Sequence, residues 1–129
     1  MENAGMKYEL DSGRWYHKNN HYQNIAILTG LPYSEIIPAC PKKEIWHGQD
    51  FVKVFQKLGF NTTQRFEKFR QDCDKPMLMR TTSFQKGFWY AWVYYDHVVY
   101  LGDNATMTFD DWQKAWKRLK PTSMLPVWI

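Results

Sequence analysis

The sequence predicts an α+β protein in which N-terminal helices pack on a small C-terminal antiparallel sheet, with one further helix near the C-terminus. Apolar residues recur at helical spacing in the first half of the chain, whereas runs rich in aromatic and β-branched residues begin after Lys75. A well-capped helical pattern then follows Met107. The 129 residues contain no repeat and fit a single domain, residues 1–129.

The first half of the chain carries three helical patterns. Residues 1–15 predict an arm or an edge strand, and "NNHYQNIAILTG" predicts a helix over residues 19–29 that Gly30 stops. A short helical piece is expected over residues 34–37. "GQDFVKVFQKLGF" predicts a second helix, closed by Gly59, because its apolar residues share one broad face. "TTQRFEKFRQDC" predicts a third helix, on which Phe66 and Phe69 would form an apolar pair.

The second half has the composition of strands, in "PMLMRTTS", "GFWYAWVYY" and "VVYLGD". Asp96 and His97 separate the last two runs and predict a tight hairpin, because Asp tolerates left-handed backbone geometry. Rings on both faces of "FWYAWVYY" are typical of a strand buried on both sides, or of one that stacks nucleic-acid bases. We favour the buried strand, because no Lys or Arg alternates with these rings.

"MTFDDWQKAWKRLKP" predicts the last helix. Thr108 is placed to cap its N-terminus, with two aspartates in the first turn. Met107 and Trp112 have the spacing of a hydrophobic staple. The basic residues are expected in the last turns, and Pro121 marks the end.

Charge and composition limit the classes of function. The net charge is +4; residues 42–80 hold nine Lys or Arg against five Asp or Glu, and residues 112–120 hold four basic residues and no acid. Such patches could contact nucleic acid or an acidic protein, although a solvated face is the simpler interpretation. Seven tryptophans exceed what so small a core can fully bury, so some are expected at a surface or cleft.

Several features predict a cytoplasmic protein with free thiols. The opening "MENAGMKYELDSGRW" is polar and unlike a signal peptide, and no apolar run approaches the ~20 residues that span a bilayer. Cys40 and Cys73 lack metal or redox spacing and make a poor disulfide framework.

Two segments resemble the papain-like cysteine peptidase fold, in the reduced form found in small phage and bacterial proteins. The first helix matches the family's opening helix in "A-x-x-T-G-x-P-Y", and "KGFWYAWVYYDHVVYLGDN" follows the outline of its strand and hairpin. The matching positions are Ala26, Thr29, Gly30, Pro32, Tyr33, Gly87, Asp96, Val98, Val99 and Tyr100. The resemblance implies a helix that bears the nucleophile, then further helices, then a sheet that bears the catalytic histidine.

The catalytic positions of that family are not kept in this chain. The resemblance places the cysteine at Asn20, the histidine at Phe88 and the orienting acid at Leu101. None of these side chains can supply a thiolate, a proton acceptor or an orienting group. The sequence therefore predicts a pseudoenzyme, which keeps the scaffold without the chemistry.

An unorthodox enzyme site and a zinc site are the competing kinds of chemistry. An unorthodox enzyme site could use His17, His21, Cys40 or His97, but Cys40 lies in a proline-bounded loop without the amide cradle that would lower its pKa. "HKNNH" has the histidine spacing of a zinc-peptidase helix, yet Lys18 stands where the required glutamate would be. No metal and no cofactor are predicted.

The function expected is therefore that of a small non-catalytic binding protein. Its resemblance to phage proteins predicts a phage-encoded protein that acts in the host cytoplasm on a host protein, such as a defence or transcription component. The alternatives are an enzyme with an unorthodox Cys/His site and a nucleic-acid-binding module that uses the basic patches at residues 42–80 and 112–120. The emptied cleft is the first candidate site, with Tyr16, His17, Asn20, His21, Phe88 and Trp89 as its walls, and the basic residues Lys114, Lys117 and Arg118 form the rival site.

Overall fold

The structure, a computed structural model, describes residues 20–43, 45–84, 89–102 and 105–129, without the side chains of Asn20 and Gly102. Helices precede and flank an antiparallel sheet, so the predicted α+β class is confirmed. The helices are α1 Asn20–Thr29, α2 Tyr33–Ile36, α3 Gly48–Lys57 and α4 Phe109–Ala115, with a short 3-10 turn at Ile37–Ala39. The strands are β1 Asn61–Thr62, β2 Glu67–Lys68, β3 Met77–Thr82, β4 Trp89–Tyr95, β5 Val98–Gly102, β6 Ala105–Thr108 and β7 Pro121–Trp128.

The sheet has the strand order β1-β7-β3-β4-β5-β6, and β2 also pairs with β7. The C-terminal strand β7 is therefore an interior strand, although no element is predicted from the sequence after Pro121. Two prolines, Pro121 and Pro126, weaken the strand pattern of this segment because proline cannot donate to a ladder. The neighbouring Val127 N–H still donates to the Pro76 carbonyl at 2.9 Å.

Helix α1 lies against the centre of the sheet and is buried from Gln23 to Thr29. It stops as predicted at Gly30, which adopts a positive φ of 71° while its N–H donates to the Ala26 carbonyl at 2.8 Å. The Thr29 hydroxyl also donates to the Ile25 carbonyl at 2.7 Å, which satisfies a buried polar group within the helix.

Helix α3 confirms the second predicted helix. At its N-terminus the His47 N–H donates to Asp50 Oδ2 at 2.7 Å, and the Asp50 N–H donates to the His47 carbonyl at 3.0 Å. Phe51 and Phe55 are fully buried on its inner face. Gly59 ends it with a φ of 89°, in the left-handed region that favours glycine.

The predicted third helix over residues 62–73 is wrong. This segment forms the short strands β1 and β2 joined by turns, and both strands pair with β7. Phe66 packs near Phe51 on one side of the sheet, whereas Phe69 packs against Tyr94 and Phe109 on the other. Residues three apart on a helix share one face, so the two rings could not reach both sides of the sheet from a helix.

The predicted hairpin is confirmed. Strands β4 and β5 pair directly across Asp96 and His97, which adopt positive φ angles of 49° and 66°. Two left-handed residues in a two-residue loop are the signature of a type I′ turn, whose twist matches that of the strands.

Helix α4 begins as predicted, because Thr108 Oγ1 accepts the Asp111 N–H at 3.1 Å. It ends at Ala115, earlier than the predicted end near Pro121. Leu119 must reach the core, and the Lys120 N–H donates to Thr82 Oγ1 at 2.9 Å as the chain turns into β7. Lys117 and Arg118 therefore lie in the turn after the helix instead of in its last turns.

Two hydrophobic clusters cover the two faces of the sheet. Alternate residues of the central strands point to opposite faces, as the registers Leu78↔Val93 and Met79↔Trp92 require. One cluster joins helices α1, α2 and α3 to the sheet, and the other joins α4 to it. The predicted burial of the aromatic strand holds for Val93 and Tyr94, which have no exposed surface.

Candidate functional site

Part of the predicted cleft lies outside the described residues. Tyr16, His17 and Phe88 are not described, and Asn20 is described only as the backbone residue that begins α1. His21 and Trp89 are the predicted wall residues that the structure places, so binding of a partner in the cleft stays a prediction.

His21 is packed among aromatic rings at the first turn of α1. Its ring centroid lies 4.7 Å from that of Trp46 and 4.8 Å from that of Phe51. Burial lowers the pKa of His21 from 6.5 to about 4, because the charged imidazolium loses its hydration. At neutral pH the imidazole is therefore uncharged, and it packs half-buried against these two rings.

Trp89 reaches the same aromatic group from the sheet. Its ring centroid lies 6.0 Å from that of Phe51 and 6.5 Å from that of Phe66. Phe51 has no exposed surface and contacts both His21 and Trp89. Among the described residues, the helix side and the sheet side of the predicted cleft thus meet through a buried ring.

Two buried polar side chains fasten α1 to the sheet. Gln23 Nε2 donates to the Leu101 carbonyl at 2.7 Å, and Asn24 Nδ2 donates to the Ala91 carbonyl at 3.3 Å. Leu101, the position that the resemblance gives to the orienting acid, therefore contributes a backbone oxygen to this contact. Both bonds hold the first turns of the helix in place over β4 and β5.

Of the other groups considered for catalysis, Cys40 lies in surroundings that disfavour a thiolate. Cys40 is buried, its Sγ donates to the Ile36 carbonyl at 3.2 Å, and burial raises its pKa to about 11, although Lys57 opposes this shift. Cys73 is half-buried, and His97 is exposed with Nδ1 3.2 Å from Gln71 Nε2. Both thiols are free, and no three His, Cys, Asp or Glu side chains of the described part are grouped as metal ligands would be.

The rival site on α4 is an exposed surface that combines cations with aromatic rings. Lys114 and Lys117 line a shallow open depression together with Asp110 and Gln113. The Arg118 guanidinium lies 5.3 Å from the centroid of the Phe84 ring.

Phe84 in turn contacts Tyr90, with ring centroids 6.1 Å apart in an edge-to-face arrangement. Phe84 is 57% exposed and Tyr90 39% exposed, which is unusual for large rings in contact with each other. We call Phe84, Tyr90, Lys114, Lys117 and Arg118 the α4 surface. The two rings were missed from the sequence, because Phe84 stands alone in a polar turn and Tyr90 belongs to a run assigned to the core.

A second cation lies among rings on the opposite face of the sheet. The Arg80 guanidinium carbon is 4.0 Å from the Phe66 ring centroid and 4.6 Å from that of Trp89, while its Nε donates to Ser123 Oγ at 2.8 Å. Burial lowers the pKa of Arg80 from its usual range. No Lys or Arg alternates with the rings of residues 88–95 in the sequence, but the fold brings Arg80 of β3 against Trp89 of that run.

No family model, characterised protein or solved structure matches this chain. None of the described helices is long and apolar enough to cross a membrane.

Proposed function

We propose that this chain is a small non-catalytic binding protein that engages an acidic protein through the α4 surface. One observation carries the proposal: two exposed aromatic rings in mutual contact lie beside Arg118, close in sequence to two exposed lysines. Aromatic rings and arginine dominate binding hot spots because they bury much area with little loss of rotamer freedom. The lysines would add long-range attraction for negative charge.

The state of the titratable groups supports a role without thiol chemistry. A cysteine peptidase needs a thiolate beside an imidazolium. Burial opposes both charged forms here, since the pKa of Cys40 is raised to about 11 and that of His21 is lowered to about 4. A Cys40→Ser, Cys73→Ser double variant is accordingly expected to keep full binding.

A papain-like scaffold with a lost triad is part of the proposal. The contact of α1 with β4 and β5 is compatible with that scaffold, in which the nucleophile helix lies on the sheet. On this basis we propose that the chain is phage-encoded. It would act in the host cytoplasm on a host protein, such as a defence or transcription component. The support for this assignment is the resemblance of residues 20–33 and 87–103 alone.

The α4 surface is preferred to the cleft because of how the two sites are packed. His21 and Trp89, the described wall residues of the cleft, are half-buried and contact the fully buried Phe51. Phe84 and Tyr90 are exposed before any partner binds, so an interface there would gain from burying them.

The proposal is tested in two steps. The chain is first used to capture its host protein by affinity purification from bacteria, and the binding kinetics of the two proteins are then measured. Phe84→Ala with Tyr90→Ala should raise the dissociation rate at least tenfold, since truncating a hot-spot ring costs on the order of 2 kcal/mol. Reversal of Lys114, Lys117 and Arg118 to Glu should mainly slow association and reduce its salt dependence.

The matched control is reversal of Lys42, Lys53 and Lys57, three exposed lysines outside the α4 surface, which should leave the affinity unchanged. The result that contradicts the α4 surface is normal binding by both of its variants. Loss of binding in a His17→Ala, Trp89→Ala variant, with folding preserved, would then place the partner in the cleft.

A nucleic-acid ligand is the second candidate, favoured by the stacking of Arg118 over Phe84 beside Tyr90. Sites for single strands combine cations that contact phosphates with rings that stack on bases. Fluorescence anisotropy with a labelled oligothymidine distinguishes the two candidates. A logarithmic salt slope of about −0.7 for each phosphate contact indicates nucleic acid, whereas no binding at low salt excludes it.

A further inference from the structure

We propose that Arg80 is the anchor of an oxyanion-binding site on the α3 side of the sheet, separate from the α4 surface. The ligand class is a small molecule or group that bears a phosphate or a carboxylate. The site consists of the Arg80 guanidinium, the two rings that flank it and the start of α3.

The Arg80 guanidinium has donors to spare. An arginine carries five N–H donors, and Nε uses its own on Ser123 Oγ at 2.8 Å. The remaining four belong to the two terminal nitrogens, and no hydrogen bond within the described residues uses them. Terminal guanidinium donors in one plane match the two oxygens of a carboxylate or phosphate.

Within the described part of the chain, no carboxylate pairs with the Arg80 guanidinium. The ion pairs within the described part are Lys43–Asp50, Arg70–Asp72 and Lys75–Asp74, and none includes Arg80. The Asp50 carboxylate, on the nearby helix α3, accepts from the His47 N–H at 2.7 Å and lies 3.0 Å from Lys43 Nζ. A partly buried charge without an opposite charge destabilises the fold unless a ligand supplies one.

The guanidinium is flanked by two rings and by the start of α3. The Phe66 and Trp89 centroids are 6.5 Å apart, so the rings flank the guanidinium without enclosing it between parallel faces. At the start of α3, a Cβ added to Gly48 would lie 3.6 Å from Arg80 Nη1 and 3.1 Å from Phe66 Cδ1. Glycine thus keeps this side of the arginine clear of a side chain.

The rings determine how a ligand would approach. Cation–π contact with Phe66 and Trp89 holds the arginine side chain in one orientation, which lowers the entropy cost of binding. Lysine could supply the charge but not the planar fork, so Arg80→Lys should bind the anion much more weakly than the wild type.

Titration of the full chain with inorganic phosphate, and separately with acetate, tests the site by NMR. The reporters are the Arg80 Nε–H and the Trp89 indole N–H, identified with an Arg80→Lys and a Trp89→Phe variant, and the reference is sodium chloride at equal ionic strength. Saturable shifts of both reporters with either anion support the site. The anion that saturates the shifts at the lower concentration identifies the ligand chemistry. Shifts no larger than those in chloride overturn it, and the shifts are measured on the wild-type protein.

Thermal unfolding provides the second measurement. At ten times its Kd, the effective anion should raise the wild-type Tm by about 5 °C, and it should raise the Tm of Arg65→Met, a control at an exposed arginine, equally. Arg80→Met should show no rise. An equal rise in Arg80→Met would mean that the anion stabilises the fold elsewhere and would refute the proposal.

Discussion

Burial of His21 should make the stability of this protein fall as the pH drops below 7. The imidazole packs against the rings of Trp46 and Phe51, and burial lowers its pKa from 6.5 to about 4. In the unfolded chain the same imidazole takes up a proton near pH 6.5. Between these two values the unfolded state binds more protons than the native state, so stability decreases as pH decreases.

The size of the effect follows from the two pKa values. The difference between the unfolded and folded pKa of His21 corresponds to about 3 kcal/mol in the free energy of unfolding. About 2 kcal/mol of this is lost between pH 8 and pH 5. With a urea m-value of about 2 kcal/mol/M, the unfolding midpoint should fall by about 1 M over that interval. This window lies above the range in which ordinary carboxylates titrate, so their contribution is small.

Urea unfolding of the wild type, a His21→Leu variant and a His97→Ser control measures this effect. His21→Leu should have a nearly constant midpoint from pH 8 to pH 5, because a neutral side chain fills the site at every pH. His97→Ser should keep the wild-type slope, since His97 is exposed in the hairpin turn. The reasoning is refuted if wild type and His21→Leu lose the same stability across this range.

Three further predictions concern the backbone and the thiols. Gly59→Ala should destabilise the protein by about 1–2 kcal/mol in urea unfolding, because a residue with a Cβ is strained at the φ of 89°. A clash is not the cause, since no atom lies within 4 Å of the added Cβ. An unchanged stability would mean that α3 can end in another conformation. His97→Gly should stabilise the protein by about 0.5 kcal/mol, because glycine adopts the φ of 66° without strain. A clear loss of stability would show that the contact of His97 with Gln71 outweighs the backbone strain. A thiol reagent followed by mass spectrometry should label Cys73 in the native protein and Cys40 only after unfolding, and rapid labelling of native Cys40 would contradict its burial.

Local chemistry made several elements predictable from the sequence alone. Gly30 and Gly59 end helices because only glycine adopts a positive φ without strain. Thr108 begins α4 because its hydroxyl satisfies a backbone N–H within the same turn. Asp96 and His97 turn the hairpin because both neighbouring runs have strand composition. In each case the deciding interaction joins residues a few positions apart, so it can be inferred from the sequence.

The interior position of β7, and the division of residues 61–73 into two short strands, depend on partners distant in sequence. β7 pairs with β1, β2 and β3, so its backbone partners are 40 or more positions away in the sequence. Its two prolines lower the local strand propensity, so the strand is not evident from the sequence. The same holds for the candidate sites: Arg118 meets Phe84, and Arg80 meets Phe66 and Trp89, only because the sheet brings separate segments together. The sequence by itself determined the fold class, the ends of α1 and α3 and the start of α4. Tertiary structure alone decided which rings stay exposed and which cations lie over them, because burial and cation–π contact arise from long-range packing.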